Sequence, residues 1–303
     1  MTEDFKKRKL EEADNKDHNK NNQETNKMTT DNQISVKITK DQLDHLNNTL
    51  SYLTPQEVLK WSIITFPNLF QTTAFGLTGL AILDMLHNLT IEEEEIKEIQ
   101  KSSGSVELIF IDTLYHFPQT YELISKIKSK YSNIKLNIYK PKDSENEQEF
   151  VSNYGDNLWE TNDDKYDYLV KVEPAQRAYK ELKVVAVFTG RRRSQGGARG
   201  SLPVIEIEES SNIIKINPLA SWDFNKVLEY IKANDVPYNE LLDLGYKSVG
   251  DWHSTQPVKE GEDERSGRWK GKAKTECGIH ETSRFAQFLK ENENKTETGA
   301  ENK

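Results

Sequence analysis

Along the chain, apolar residues recur at two different spacings. Leu43, Leu46, Leu50 and Leu53 follow the period of one helix face and predict a first helix. Thr54-Pro55-Gln56-Glu57 comes next, an N-cap, a first-turn proline and a capping-box glutamate that open a second. After Pro67, the run Asn68 to Thr73 reads as extended and Gly76 to Leu89 as a helix. Val106 to Ile111 predicts a strand, Pro118 to Tyr131 a helix, Ile134 to Tyr139 a strand, and Val184 to Phe188 another continuous apolar strand. Buried strands separated by amphipathic helices place the chain in the α/β class, with an open, mostly parallel sheet and helices on both faces. Ligands on such sheets sit beyond the carboxyl ends of the strands.

Outside that patterned region the chain changes character. Residues 1–33 are mostly Asn, Lys, Glu and Asp and read as a disordered polar tail, and the sequence is equally polar from Lys290 onward. Between them we expect an α/β domain over 34–245 and a C-terminal segment over 246–303. The net charge of −9 argues against general nucleic-acid binding, which rests on a basic surface. With no long apolar run and no apolar stretch after a basic start, neither a membrane span nor a secretory leader is expected, and a soluble, reducing, cytoplasmic setting fits.

The lone cysteine, Cys277, excludes an intrachain disulfide and any four-cysteine zinc or iron–sulfur site within one chain. The six histidines show no paired ligand spacing, so no metal is expected. A free cysteine is usually a small buried apolar side chain. Cys277 instead sits in Thr275-Glu276-Cys277-Gly278-Ile279-His280 behind a lysine-rich stretch with no apolar face to bury it. Lys272, Lys274 and His280 would favour its thiolate, which makes it a candidate nucleophile.

Three strand ends carry candidate chemistry. Thr72-Thr73-Ala74-Phe75-Gly76 leads into a helix N-terminus, a geometry that binds phosphate through free N–H groups and equally serves as a plain connection. Asp112-Thr113-Leu114-Tyr115-His116 follows the next strand and is as often an ordinary loop as a site. Thr189-Gly190-Arg191-Arg192-Arg193-Ser194-Gln195-Gly196-Gly197-Ala198-Arg199-Gly200 is less ordinary: four arginines among flexible residues, in an acidic chain, suit an anion clamp better than a solvated face.

Taken in order, TTAFG, DTLYHFPQTYE, KVEPAQRA, FTGRRRSQGGARGSLP, LLDLGYKSVGDWHST and ECGIH resemble the fungal, thioredoxin-dependent phosphoadenylyl-sulfate reductase family, over Thr54 to His280. The resemblance implies an adenine nucleotide α-hydrolase-like fold, a homodimer, thioredoxin or glutaredoxin as electron donor, and no prosthetic group or iron–sulfur cluster. It makes 34–245 the nucleotide-binding reductase domain and 246–303 a segment ending in a mobile tail that carries catalytic Cys277. Thr72, Thr73, Ala74, Phe75 and Gly76 then form the loop that replaces the SGGKDS loop of ATP-cleaving relatives, with Phe75 and Gly76 in place of its lysine and aspartate. Asp112, Lys171, Arg191, Arg192 and Gln195 are implied substrate contacts, His280 a possible assistant to the thiol, and Arg193 or Arg199 a contact for the 3′-phosphate. Two departures stand out: Thr-Thr-Ala where many relatives have serines, and Gln119 where glutamate is common.

The implied reaction is reduction of 3′-phosphoadenylyl sulfate to sulfite and adenosine 3′,5′-bisphosphate through an S-sulfonate on Cys277, in the assimilation that leads to cysteine and methionine. Reductases acting on the unphosphorylated nucleotide usually add paired cysteines for a four-iron cluster, and this chain has none to spare. An ATP-pyrophosphatase or adenylyl-transferring enzyme of the same fold, and a non-catalytic nucleotide-binding regulator, remain as alternatives.

Overall fold

The computed structural model describes residues 38–208, 211–272, 274–279, 282–285 and 288. Residues 1–33 and His280, for which a disordered tail and a thiol-assisting role are expected, lie outside the described residues.

Two capped helices come first. Helix α1 (Lys40–Leu50) is closed by a reciprocal Thr39–Gln42 capping box and α2 (Pro55–Thr65) by Thr54 and Glu57, with Pro55 in the first turn. The leucine period overshoots here: Leu53 falls in the connection between the helices rather than in α1. Then follow β1 (Leu69–Thr72), α3 (Leu77–Glu92), α4 (Glu94–Ser103), β2 (Glu107–Ile111), α5 (Pro118–Lys130) and β3 (Leu136–Tyr139). Short helices α6 (Glu147–Tyr154), α7 (Leu158–Thr161) and α8 (Asp163–Asp167) lead through a π-helical turn (Tyr168–Val172) into α9 (Glu173–Glu181). β4 (Ala186–Phe188), β5 (Ile205–Glu208), β6 (Ile213–Ile216) and α10 (Phe224–Ala233) complete the frame.

The strands form one six-stranded sheet in the order β3-β2-β1-β4-β6-β5, parallel except for the β5–β6 pair. Strand periodicity distributes its core over two faces. Phe70, Ile109, Ile111, Val187 and Ile213 pack with Ala175, Ala178 and Tyr179 of α9. The alternate residues Leu108, Phe110, Ala186, Phe188 and Ile214 are also buried, and on that side Gln71 bonds the Gly79 carbonyl of α3 at 2.6 Å. Helices therefore cover both faces, as the continuous apolar strands require. Among the described residues no helix is long and apolar enough to cross a membrane.

Candidate active site

From β1 the chain runs through β2 and β3 to one side of the sheet, and β4, β6 and β5 lie on the other, so the topology switches between β1 and β4. A pocket opens there, as it does in open α/β sheets generally. The segments after β1, β2 and β4 supply its floor, and Lys247 to Asp251 together with Glu264 to Cys277 contribute residues to its outer wall.

The loop after β1 is shaped from within. Thr73 is buried and its Oγ1 accepts the Phe75 N–H at 2.9 Å. Phe75 takes a left-handed backbone (φ 55°) that sends its ring into the core, 5.5 Å from Phe110. Thr72, Thr73, Ala74 and Gly76 line the pocket; the Phe75 ring does not. Gly76 is the N-cap of α3 and has no side chain to accept the first-turn N–H groups, which leaves them to an anion. A Cβ on Gly190 would lie 3.2 Å from the Gly79 nitrogen, so glycine lets the β4 loop cross this helix start closely.

The arginine loop divides its work. Arg191 donates to Thr189 Oγ1 at 3.1 Å and pairs with Glu206. Arg192 donates to Thr78 Oγ1 (2.9 Å), Ser194 Oγ (2.8 Å) and both Glu264 oxygens (2.8 and 2.6 Å). Gln195 Oε1 accepts from the Arg192 backbone N–H and from Arg199. All four residues line the pocket. Arg193 does not; its Nε donates to the Leu202 carbonyl at 2.7 Å. Nor does Asp112, whose Oδ1 accepts from Tyr121 (2.8 Å) and the Leu114 N–H (3.0 Å), an arrangement that holds the loop after β2.

Lys171 projects from the π-helical turn between two buried carboxylates, Asp167 at 2.9 Å and Asp251 at 2.7 Å. Burial alone would lower its pKa, but the two carboxylates raise it, and Lys171 stays charged. Burial would likewise raise that of Asp251, yet Lys171, with His116 and His253, carries it well below the usual carboxylate range. Thr113 also donates to Asp251 at 2.6 Å, which ties the β2 loop to the C-terminal segment.

Cys277 is half-buried in the pocket wall. Lys171, Arg265 and Arg268 are among the cations that line the same pocket. This corrects the expectation that Lys272 and Lys274 serve the thiol: Lys274 is held by Asp163 and Asp167, and Lys272 donates to the Trp159 carbonyl at 2.8 Å. The sequence reading missed Arg265 and Arg268. The Arg268 guanidinium lies 4.5 Å from the Trp269 ring, in space that Gly250 leaves open, and its buried Nε has no hydrogen-bond partner among the described residues. Of the segment expected to end in a mobile tail, the described residues Glu276, Cys277 and Ile279 line the pocket here. Among the described residues no cluster of three or more His, Cys, Asp or Glu could hold a metal ion.

One pH effect follows from this wall. His253 stacks on Trp159 at 4.3 Å, and burial lowers its pKa from 6.5 to about 4. The unfolded chain therefore takes up this proton first, so the contribution of neutral His253 is complete above about pH 6.5 and is lost as pH falls toward 4. We expect stability to fall by up to about 3 kcal/mol over that window, and to fall less in His253→Asn. Urea unfolding at several pH values checks it; identical pH slopes for the two proteins would refute it.

Against known proteins, the phosphoadenosine phosphosulfate reductase domain profile matches residues 68–257. A phosphoadenosine phosphosulfate reductase of Saccharomyces cerevisiae is 63% identical over 258 residues, covering 84% of this chain and 95% of the relative. The crystal structure of a phosphoadenylyl-sulfate reductase from Candida auris, a phosphate complex, aligns with a TM-score of 0.64 at 61% identity, covering 73% of this chain and 100% of that one. Candida glabrata FMN adenylyltransferase aligns with a TM-score of 0.50 at 15% identity over 80% of each chain, a likeness of fold alone. That shared fold is the adenine nucleotide α-hydrolase-like one.

Proposed function

The chain belongs to the phosphoadenosine phosphosulfate reductase family and reduces 3′-phosphoadenylyl sulfate in sulfate assimilation, and on that premise we propose that Cys277 is its nucleophile and thioredoxin its reductant. The observation that carries the reading is that Cys277 shares one pocket with the helix α3 N-terminus, Arg192, Lys171 and Arg268. The nucleotide's phosphates bind the first turn of α3 and Arg191 and Arg192, and the sulfonate faces Lys171, Arg265 and Arg268. The Cys277 thiolate attacks the sulfonate sulfur. A sulfur–sulfur bond forms, the sulfur–oxygen bond breaks, and its electron pair leaves with adenosine 3′,5′-bisphosphate. The fixed cations stabilise the charge that grows on the departing phosphate.

The second half needs two electrons from outside. One thioredoxin thiolate attacks Cys277 Sγ and expels sulfite with the sulfur–sulfur bonding pair. The second thioredoxin thiol then resolves the mixed disulfide and returns Cys277 as thiolate. For this Cys277 leaves the pocket, and Gly271 (φ 85°) and Gly278 (φ 81°) supply flexible backbone on either side. We place this chemistry in the cytoplasm, in a homodimer. Phosphorylated substrate is favoured because no second cysteine supports a cluster. Sulfite production with thioredoxin is expected to be much faster from the 3′-phosphorylated nucleotide than from adenylyl sulfate; equal rates would remove that preference.

Arg191→Ala and Arg192→Ala should each weaken binding of adenosine 3′,5′-bisphosphate by about 2 kcal/mol, the scale of one lost charge-assisted contact in a partly desolvated site. Lysine should restore only part, because a point charge cannot replace the guanidinium fork. Calorimetry reads both effects, and unchanged affinity would mean that these side chains serve their Glu206 and Glu264 pairs alone.

A further inference from the structure

The residue before Cys277 makes the most developed contact of its segment. Arg199 Nε and Nη2 donate to the two oxygens of Glu276 at 2.6 and 2.7 Å, a parallel fork, while Arg199 Nη1 is braced on Gln195. Arg265 adds a bond to the Thr275 carbonyl at 2.8 Å and one to Glu276 at 3.3 Å. The Arg199 and Glu276 side chains are only 10% and 12% exposed, so this pair is not the weak, fully hydrated sort found on surfaces. Among the described residues it is this anchor near Cys277 that reaches the arginine loop; Lys274 is tied instead to Asp163 and Asp167, at the two ends of α8.

Resting on the reading that Cys277 accepts the sulfonate inside the pocket and yields it to a reductant outside, we propose that Glu276 is a positioning residue that latches Cys277 over the nucleotide, with Arg199 as its keeper. The fork does two things. It fixes the backbone immediately before the thiol against the loop that receives the nucleotide, and it neutralises a carboxylate that would otherwise repel the substrate's anionic groups. Release of the fork lets the segment swing about the Lys274 anchor. Arg199 is therefore committed to the tail, which leaves the 3′-phosphate to other groups.

The test is the rate at which iodoacetamide alkylates Cys277 in the nucleotide-free full-length protein, followed from neutral to alkaline pH. Glu276→Ala and Arg199→Ala should each raise the limiting alkaline rate about tenfold, with Glu276→Gln between them and wild type. The double alanine variant should gain no more than either single one, and the charge-exchanged pair, Arg199→Glu with Glu276→Arg, should return toward wild type. In single turnover, Glu276→Ala should transfer the sulfonate more slowly while thioredoxin discharges the adduct at least as fast as before. Loss of a nearby charge without release would shift only the pH at which alkylation sets in. That result, or additive effects of the two alanines, would overturn the latch. If wild-type Cys277 takes up no sulfonate, the underlying reading fails on its own, because the alkylation rates do not depend on it.

Discussion

Cys277→Ser is expected to bind nucleotide normally and to make neither adduct nor sulfite. The reduced wild-type protein, incubated with 3′-phosphoadenylyl sulfate and no thioredoxin, should take up one sulfonate per active chain on the peptide containing Glu276-Cys277-Gly278, and thioredoxin should discharge it as sulfite. A serine hydroxyl is far too weakly acidic to supply the anion that attacks sulfur, and oxygen cannot form the disulfide through which the two electrons arrive. Activity should fall by about 10⁴-fold or more, the scale seen when a nucleophile is removed and only binding and charge stabilisation remain. The variant keeps the pocket cations and the helix α3 terminus, so affinity for adenosine 3′,5′-bisphosphate should be unchanged. Mass spectrometry and calorimetry separate the two properties, and full sulfite production by the serine variant would discard the covalent route.

Arg268→Ala should slow sulfonate transfer by about 10² to 10³-fold, the cost of removing one fixed electrostatic group from the place where charge develops. Its guanidinium is half-buried against Trp269 and presents a buried Nε with no partner among the described residues, an arrangement that is costly unless a ligand completes it. Burial also lowers its pKa, and an incoming anion would relieve that pressure. The effect should fall on the first half-reaction: rapid quench with nucleotide alone reads the slow transfer, while discharge of a preformed adduct by thioredoxin stays near wild type. Arg268→Lys should recover part of the rate. An equal slowing of both half-reactions, or a matching loss of thermal stability, would assign Arg268 to the fold instead.

How much of this was legible in the sequence depended on how local each signal was. The strands β1, β2 and β4 carry enough apolar residues to be read directly, and with them came the three loops that converge on the pocket. β5 and β6 were not read, because Ile205-Glu206-Ile207-Glu208 alternates like a half-exposed edge and runs into Glu209, while Ile213-Ile214-Lys215-Ile216 is short and broken by a lysine. Arg265 and Arg268 went unnoticed for a similar reason. They lie among charged residues and glycines that resemble a solvated linker, and only the adjoining Trp269, which is buried, hints that the run turns inward. The union of Lys171 with Asp251 could not be foreseen at all from composition or spacing, since it depends on the C-terminal segment folding back over the loop after β2. Asp112 shows the converse: a polar residue at a strand end, in a motif that points to substrate, has its Oδ1 engaged by its own loop and by Tyr121.

The inward turn of Phe75 bears on how this fold changes activities. The resemblance sets Phe75 where the SGGKDS loop of ATP-cleaving relatives has its lysine, which implies that a lysine here would restore phosphate charge. Here the backbone at 75 aims the side chain at Phe110, and the ring is buried. A lysine would carry its ammonium into that apolar space at a cost of several kcal/mol, or else force the loop to rebuild. Phosphate charge at position 75 is thus separated from the present loop by an uphill step in folding stability, so the loop after β1 is held in its form by the packing beneath it.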